Sequence, residues 1–232
     1  MEGHVKYFDL HKKYPQHRLA VFSKGYPSLL GQVYDPPKEL FVRGHIPLNI
    51  NCLAVIGSRK CSDYAKQVVQ SIIPKLVKQD IVIISGLARG IDSLAHQATI
   101  DAGGQTIAVL GSGMDKQSFY PPENWYLGQS ILKNNGCIIS EYPDKTRPTK
   151  YSFPCRNRII AGMAVGTLVI EAGTKSGTLI TAQYALDNGR EVMAIPQNID
   201  SPTAKGVNHL IKQGAHLITC ASDVLRILNS ML

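Results

Sequence analysis

From residue 52 onward, short apolar runs alternate with stretches in which apolar positions recur every three or four residues. The runs 53–56, 81–84, 106–110, 137–140, 167–170, 192–195 and 216–218 are apolar almost throughout instead of alternating. Each therefore predicts a strand covered on both faces, which is the pattern of a parallel sheet between helical layers. In 62–79, Ala65, Val68, Val69, Ile72, Ile73 and Leu76 fall on one helical face, with Ser62 placed to cap its start. Further helices are predicted at 92–102, 123–134, 157–163, 178–188, 207–213 and 222–228. Strand and helix in alternation give an α/β fold, doubly wound and mostly parallel, with helices on both faces of the sheet.

Residues 1–45 read differently. Tyr26-Pro27 and Asp35-Pro36-Pro37 punctuate a turn-rich stretch before a short edge strand at 40–42. The stretch is too small for its own core and reads as an extension packed on the sheet. The Rossmann-like domain then occupies 46–232. The longest apolar runs are far shorter than a membrane span, and the first residues hold no secretory core. A cytoplasmic protein without a membrane partner is expected. Cys52, Cys61, Cys137, Cys155 and Cys220 form no C-x-x-C pair, so neither a zinc site nor a disulfide framework is indicated.

The charge is unevenly placed. Lys and Arg number 25 against 17 Asp and Glu. Residues 1–60 carry 9 basic and 4 acidic side chains, and 146–158 carry 4 basic and none acidic. Lys12 and Lys13 read as ordinary solvated cations. The basic run at 146–158 is the more telling concentration, because it suits a polyanion.

In doubly wound sheets, ligands bind beyond the carboxyl ends of the strands. Four glycine-bearing loops fall there: Gly57-Ser58-Arg59-Lys60, the SGLARGID at 85–92, the GSGMD at 111–115, and the EAGTKSGT at 171–178. Glycine admits a phosphate close to the backbone, a following helix offers free N–H groups, and Arg59 and Lys175 add charge. None of the loops matches the dinucleotide or Walker pattern, so no cofactor is expected. In 147–158 (RPTKYSFPCRNR), Arg147, Lys150, Arg156 and Arg158 interleave with Tyr151 and Phe153. Cations that hold a backbone beside aromatic rings that stack on bases are what a single strand requires. Alternatively, Tyr151 and Phe153 anchor the core, and Arg158 pairs with Glu171.

These residues together resemble the DNA-processing protein A family (DprA/Smf). The resemblance rests on Tyr26-Pro27, DPP at 35–37, GSRK at 57–60, SGLARGID at 85–92 and GGQTIAVLGSGMD at 103–115. It continues through YPPEN at 120–124, SEYP at 140–143, FPCRNRIIAG at 153–162, EAGTKSGTLITA at 171–182 and NHLIKQGA at 208–215. It implies an extended Rossmann-like sheet and a homodimer without catalytic activity, which protects incoming single-stranded DNA and helps load a RecA-type recombinase. Carried over by position, the single-strand site comprises Gly57, Ser58, Arg59, Lys150, Phe153, Arg156, Asn157, Arg158, Lys175, Ser176 and Gly177. The dimer contact falls on His209, Leu210, Ile211 and Leu217, unless the last three pack inward under the final helix. Many relatives carry further domains before and after the sheet; here about 45 residues precede it.

An enzyme with a similar sheet is the rival: a nucleoside-monophosphate phosphoribohydrolase of the lysine-decarboxylase-like group. Its glycine loop ends in a catalytic Glu, where this chain has Thr181. A threonine hydroxyl cannot act as a general base at neutral pH.

Overall fold

The computed structural model describes residues 13–47 and 51–230, so Lys12 lies outside the described residues. Two strands come from the N-terminal stretch, β1 (His17–Ala20) and β2 (Glu39–Gly44). Seven follow: β3 (Cys52–Gly57), β4 (Val82–Ser85), β5 (Thr106–Leu110), β6 (Cys137–Ser140), β7 (Gly166–Glu171), β8 (Glu191–Ala194) and β9 (His216–Leu217). All nine share one sheet in the order β1-β2-β6-β5-β4-β3-β7-β8-β9. From β6 to β9 the pairing is parallel, whereas β2 runs antiparallel to both β1 and β6.

Every residue of β4, β5, β6 and β7 is buried, as the unbroken apolar runs require. Successive side chains of β3 enter different cores: Leu53 and Val55 face one layer, Ala54 and Ile56 the other. The first layer is completed by α2 (Asp63–Val77), α3 (Ile91–Asp101) and α8 (Ala221–Asn229). The second is completed by α5 (Ser152–Met163), α6 (Gly177–Asp187) and α7 (Ala204–Lys212), with α4 (Trp125–Lys133) covering a smaller core near β5 and β6. The fold is an extended Rossmann-like α/β sheet with helices on both faces.

Three local features depart from the sequence expectation. The strand around 40–42 is not an edge, because β1 pairs along its outer side. β1 carries His17, Arg18, Leu19 and Ala20, mostly exposed, and so lacks the pattern that marks the buried strands. A short helix, α1 (Ser28–Gly31), buries Leu30 in the same core as Ile159 and Ile160 of α5. Finally, α5 begins at Ser152 instead of residue 157, running through Pro154. A proline in a helix's first turn costs no hydrogen bond, since those N–H groups have no intrahelical partner.

The extension is tied down at several points. Tyr26 Oη donates to the Pro37 carbonyl at 2.8 Å, and Arg43 reaches Asp144 at 2.7 Å. Gly162 of α5 sits so close to Leu30 and Val33 that a Cβ would meet each at 2.9 Å.

Candidate functional site

β3 and β7 are neighbours, but β3 leads to β4 on one side and β7 to β8 on the other. Their loops part at this switch point, the place where open α/β sheets bind ligands. A cavity of about 910 Å³ opens there. Its walls come from the loop at 57–60 after β3, the loop at 173–176 before α6, and the start of α5 between them, with Pro202 and Thr203 closing one end.

The floor is built around Arg156, which is 6% exposed. Its Nη1 donates to the Gly86 carbonyl and, at 2.7 Å, to that of Val109; its Nε donates to Asn157 Oδ1 at 3.0 Å. A Cβ on Gly86 would run into this guanidinium, so any larger residue there would displace Arg156 from its carbonyls. Asp92, also buried, accepts from the N–H groups of Gly86 at 3.2 Å and Ala88 at 3.3 Å. Burial pushes the Asp92 carboxyl upward, against the pull of Arg156. Arg156 thus caps two strand-end carbonyls, and all three of its hydrogen bonds stay within the protein.

The rim is different. Arg59, Lys60, Lys150 and Lys175 all line the cavity and are exposed, and among the described residues none has an ion-pair partner. Phe153 stands at the cavity wall, half-buried. The Arg59 guanidinium lies 5.6 Å from its ring centre, and the Tyr120 ring lies 5.5 Å away at 52°. Asn157 Nδ2 donates to the Gly177 carbonyl at 3.3 Å, fixing the start of α6 against α5. Ser176 caps α6, its Oγ accepting from the Thr178 N–H at 3.2 Å. Around Gly173 and Gly177 there is open space: a Cβ on either would meet nothing within 4 Å.

Of the residues expected from sequence, the structure gathers Gly57, Ser58, Arg59, Lys150, Phe153, Arg156, Asn157, Lys175, Ser176 and Gly177 around this one cavity. Arg158 is the exception and corrects the expectation. It lies outside the lining, donating to Glu141 Oε1 at 2.6 Å and to the Asp35 carbonyl at 2.8 Å. Its partner is not Glu171, which is buried and accepts from the Ser62 N–H at 3.0 Å and Oγ at 3.1 Å. Lys60 joins the rim, a residue whose place in the GSRK turn was its only sequence signal. Among the described residues the cavity lining contains one carboxylate, Asp92. Thr181 is buried, its Oγ1 donating to the Gly177 carbonyl at 3.3 Å.

At the far end of the sheet, Leu210 is 7% exposed and belongs to the core, which corrects its assignment to a surface contact. Ile211 packs partly against the same core, while His209 and Leu217 are exposed. Among the described residues no helix is long and apolar enough to cross a membrane.

Residues 17–229 match the family model described as DNA recombination-mediator protein A. The DNA processing protein DprA of Streptococcus pneumoniae is 42% identical over 231 residues, which are 97% of this chain and 80% of that protein. Its X-ray structure superposes with a TM-score of 0.85, covering 93% of this chain and 74% of that one. DprA of Bacillus subtilis is 42% identical over 208 residues, 89% of this chain and 69% of the relative. DNA processing protein A of Helicobacter pylori, solved for its single-stranded DNA binding mode, has a TM-score of 0.82 at 28% identity, covering 94% and 97% of the two chains.

Proposed function

Because the chain belongs to the DNA recombination-mediator protein A family, we propose that it binds single-stranded DNA in the cavity between β3 and β7. The observation that carries this reading is the rim: four exposed cations that have no acidic partner among the described residues line one cavity, and one of them, Arg59, lies over the Phe153 ring. Each cation that neutralises a phosphate releases counterions, and an aromatic face beside them gives unpaired bases a stacking surface. The single-strand binding of the Helicobacter pylori relative supports the same ligand here.

In this reading the chain acts in the cytoplasm as a homodimer, shields an incoming strand and presents it to a RecA-type recombinase. It performs no chemistry on the strand. The one carboxylate in the cavity among the described residues, Asp92, is held by two backbone N–H groups beside Arg156 and is poorly placed to activate water. The phosphoribohydrolase reading needs a carboxylate where Thr181 donates to the Gly177 carbonyl.

The test is fluorescence anisotropy against single- and double-stranded oligonucleotides over a salt series. Single strands should bind more tightly, with a slope of about 3 for four phosphate contacts at ~0.7 each. Phe153→Ala should cost ~1–3 kcal/mol of single-strand affinity with little change in that slope. Equal affinity for duplex and single strand, or a flat salt response, would overturn the proposal.

A further inference from the structure

Phe153 and Arg59 face more than the main cavity. With Ala88 and Arg156 they also line a narrow cleft on its flank, whose outer wall is Arg89, Tyr120 and Pro121. The cleft and the cavity therefore share one wall, and a strand crossing it passes from Phe153 to Tyr120, ring centres 5.5 Å apart. The cleft holds only about 30 Å³, so a base lies over it and not inside it.

The outer wall is preorganised. Asn124 Nδ2 donates to the Leu87 carbonyl at 2.8 Å, clamping the loop that carries Arg89 to the turn that follows Tyr120. Leu87 is held at φ 52°, a left-handed conformation rare for a branched residue. Arg89 is 57% exposed and pairs with Glu123, itself 55% exposed. A pair this open contributes little, so a phosphate can replace the carboxylate at small cost. The YPPEN segment thus supplies an aromatic ring, a clamp and a competing acid around one exposed cation.

We infer that Tyr120 and Arg89 form a second base-and-phosphate subsite, through which the strand leaves the main cavity across the Phe153 wall. The inference rests on the single-strand reading above. Glu123 holds Arg89 in the free protein and gives it up to the strand. The occupant is the continuation of the same single strand, because a ring for stacking and a cation for the backbone are what each further nucleotide requires.

The test compares a short oligothymidylate of about 4 nucleotides with a long one of about 16, bracketing the usual range of site sizes. Tyr120→Ala should weaken the long strand about tenfold and leave the short one within about twofold, while Tyr120→Phe keeps the unmutated affinity. Arg89→Gln should lower the salt slope on the long strand by ~0.7 and not on the short one. Glu123→Gln, a change at an exposed site, should tighten the long strand only. Unchanged long-strand affinity in Tyr120→Ala and Glu123→Gln alike would overturn the inference. So would equal losses on both lengths with a lowered Tm, which would make Tyr120 a fold residue. Failure of the unmutated protein to bind either length would instead defeat the single-strand reading itself.

Discussion

The guanidinium of Arg158 meets the Glu141 carboxylate at 2.6 Å, away from the cavity that its helix borders. Both side chains are mostly buried, at 15% and 24% exposure, and Arg158 also donates to the Asp35 carbonyl. Arg158 therefore fastens the N-terminal extension to α5. Arg158→Gln should lower stability by about 1–3 kcal/mol, because hydrogen bonds to charged partners are lost from a partly buried site. The salt slope for single-strand binding should stay as it is. Arg59→Ala and Lys175→Ala should do the reverse, each removing ~0.7 from the slope with the Tm unaltered. Denaturant melts and the anisotropy series separate the two roles.

Two glycines should respond in opposite ways to alanine. At Gly86 the added methyl would run into Arg156, so Gly86→Ala should cost about 1–3 kcal/mol of stability, as overpacking does. At Gly177 the methyl meets nothing and the backbone is not left-handed, so Gly177→Ala should be neutral or stabilising by about 0.4–1 kcal/mol. Yet it should weaken single-strand binding, because the empty space in front of α6 is where a phosphate would approach. A Gly177→Ala protein with unchanged affinity would show that nothing comes close to that backbone.

Acid should destabilise the fold through His96. The ring is fully buried, and its Nδ1 donates to Thr106 Oγ1 at 2.7 Å, whose own hydroxyl donates to the Ile83 carbonyl. Burial, helped by the charge of Arg156, pushes its pKa down from 6.5 to about 3. The unfolded chain takes up a proton near pH 6.5 and the native state does not until about 3. The contribution of neutral His96 is therefore complete above the first value and is lost as pH falls. Stability should drop by about 1.4 kcal/mol per pH unit across that window. In His96→Asn the slope should flatten; an unflattened slope would assign the acid sensitivity to carboxylates.

Assembly can be probed at the β9 edge. Leu217 is half exposed on a two-residue edge strand, an apolar position that a partner copy would cover. Leu217→Arg and His209→Asp should give folded monomers, whereas Leu210→Arg should fail to fold because Leu210 is core. Sedimentation of the unmutated protein as a monomer at tens of micromolar would rule the homodimer out.

The inner parallel strands β4 to β7 were readable because each is buried on both faces and so writes an unbroken apolar run into the sequence. β1 was not, since an exposed edge strand such as HRLA leaves no such trace. β9, read from 216–218 as covered on both faces, is an edge strand with both residues exposed. The start of α5 was hidden by Pro154, which reads as a breaker unless its place in the first turn is known. The cavity loops were readable from their glycines and cations. What the sequence could not separate was Arg156 from Arg158. Both sit in a run without carboxylates, and their partners arrive from distant elements: the Gly86 and Val109 carbonyls for one, Glu141 and Asp35 for the other. Likewise the turn at Asn124 gave no sign that it would clamp the Leu87 carbonyl.

The cavity at the switch point has a kinetic corollary. Its walls come from segments scattered between Ile56 and Thr203, joined through parallel pairings and through hydrogen bonds such as Asn157 to the Gly177 carbonyl. Such contacts are far apart in sequence, and they form late because long loops must close first. No early folding intermediate can therefore hold a finished ligand cradle. On a ribosome the chain would stay unable to grip a polyanion until α7 had emerged and docked. The same non-locality means that a nick anywhere in the β3–β8 region that frees one crossover should abolish binding outright and not trim it in steps.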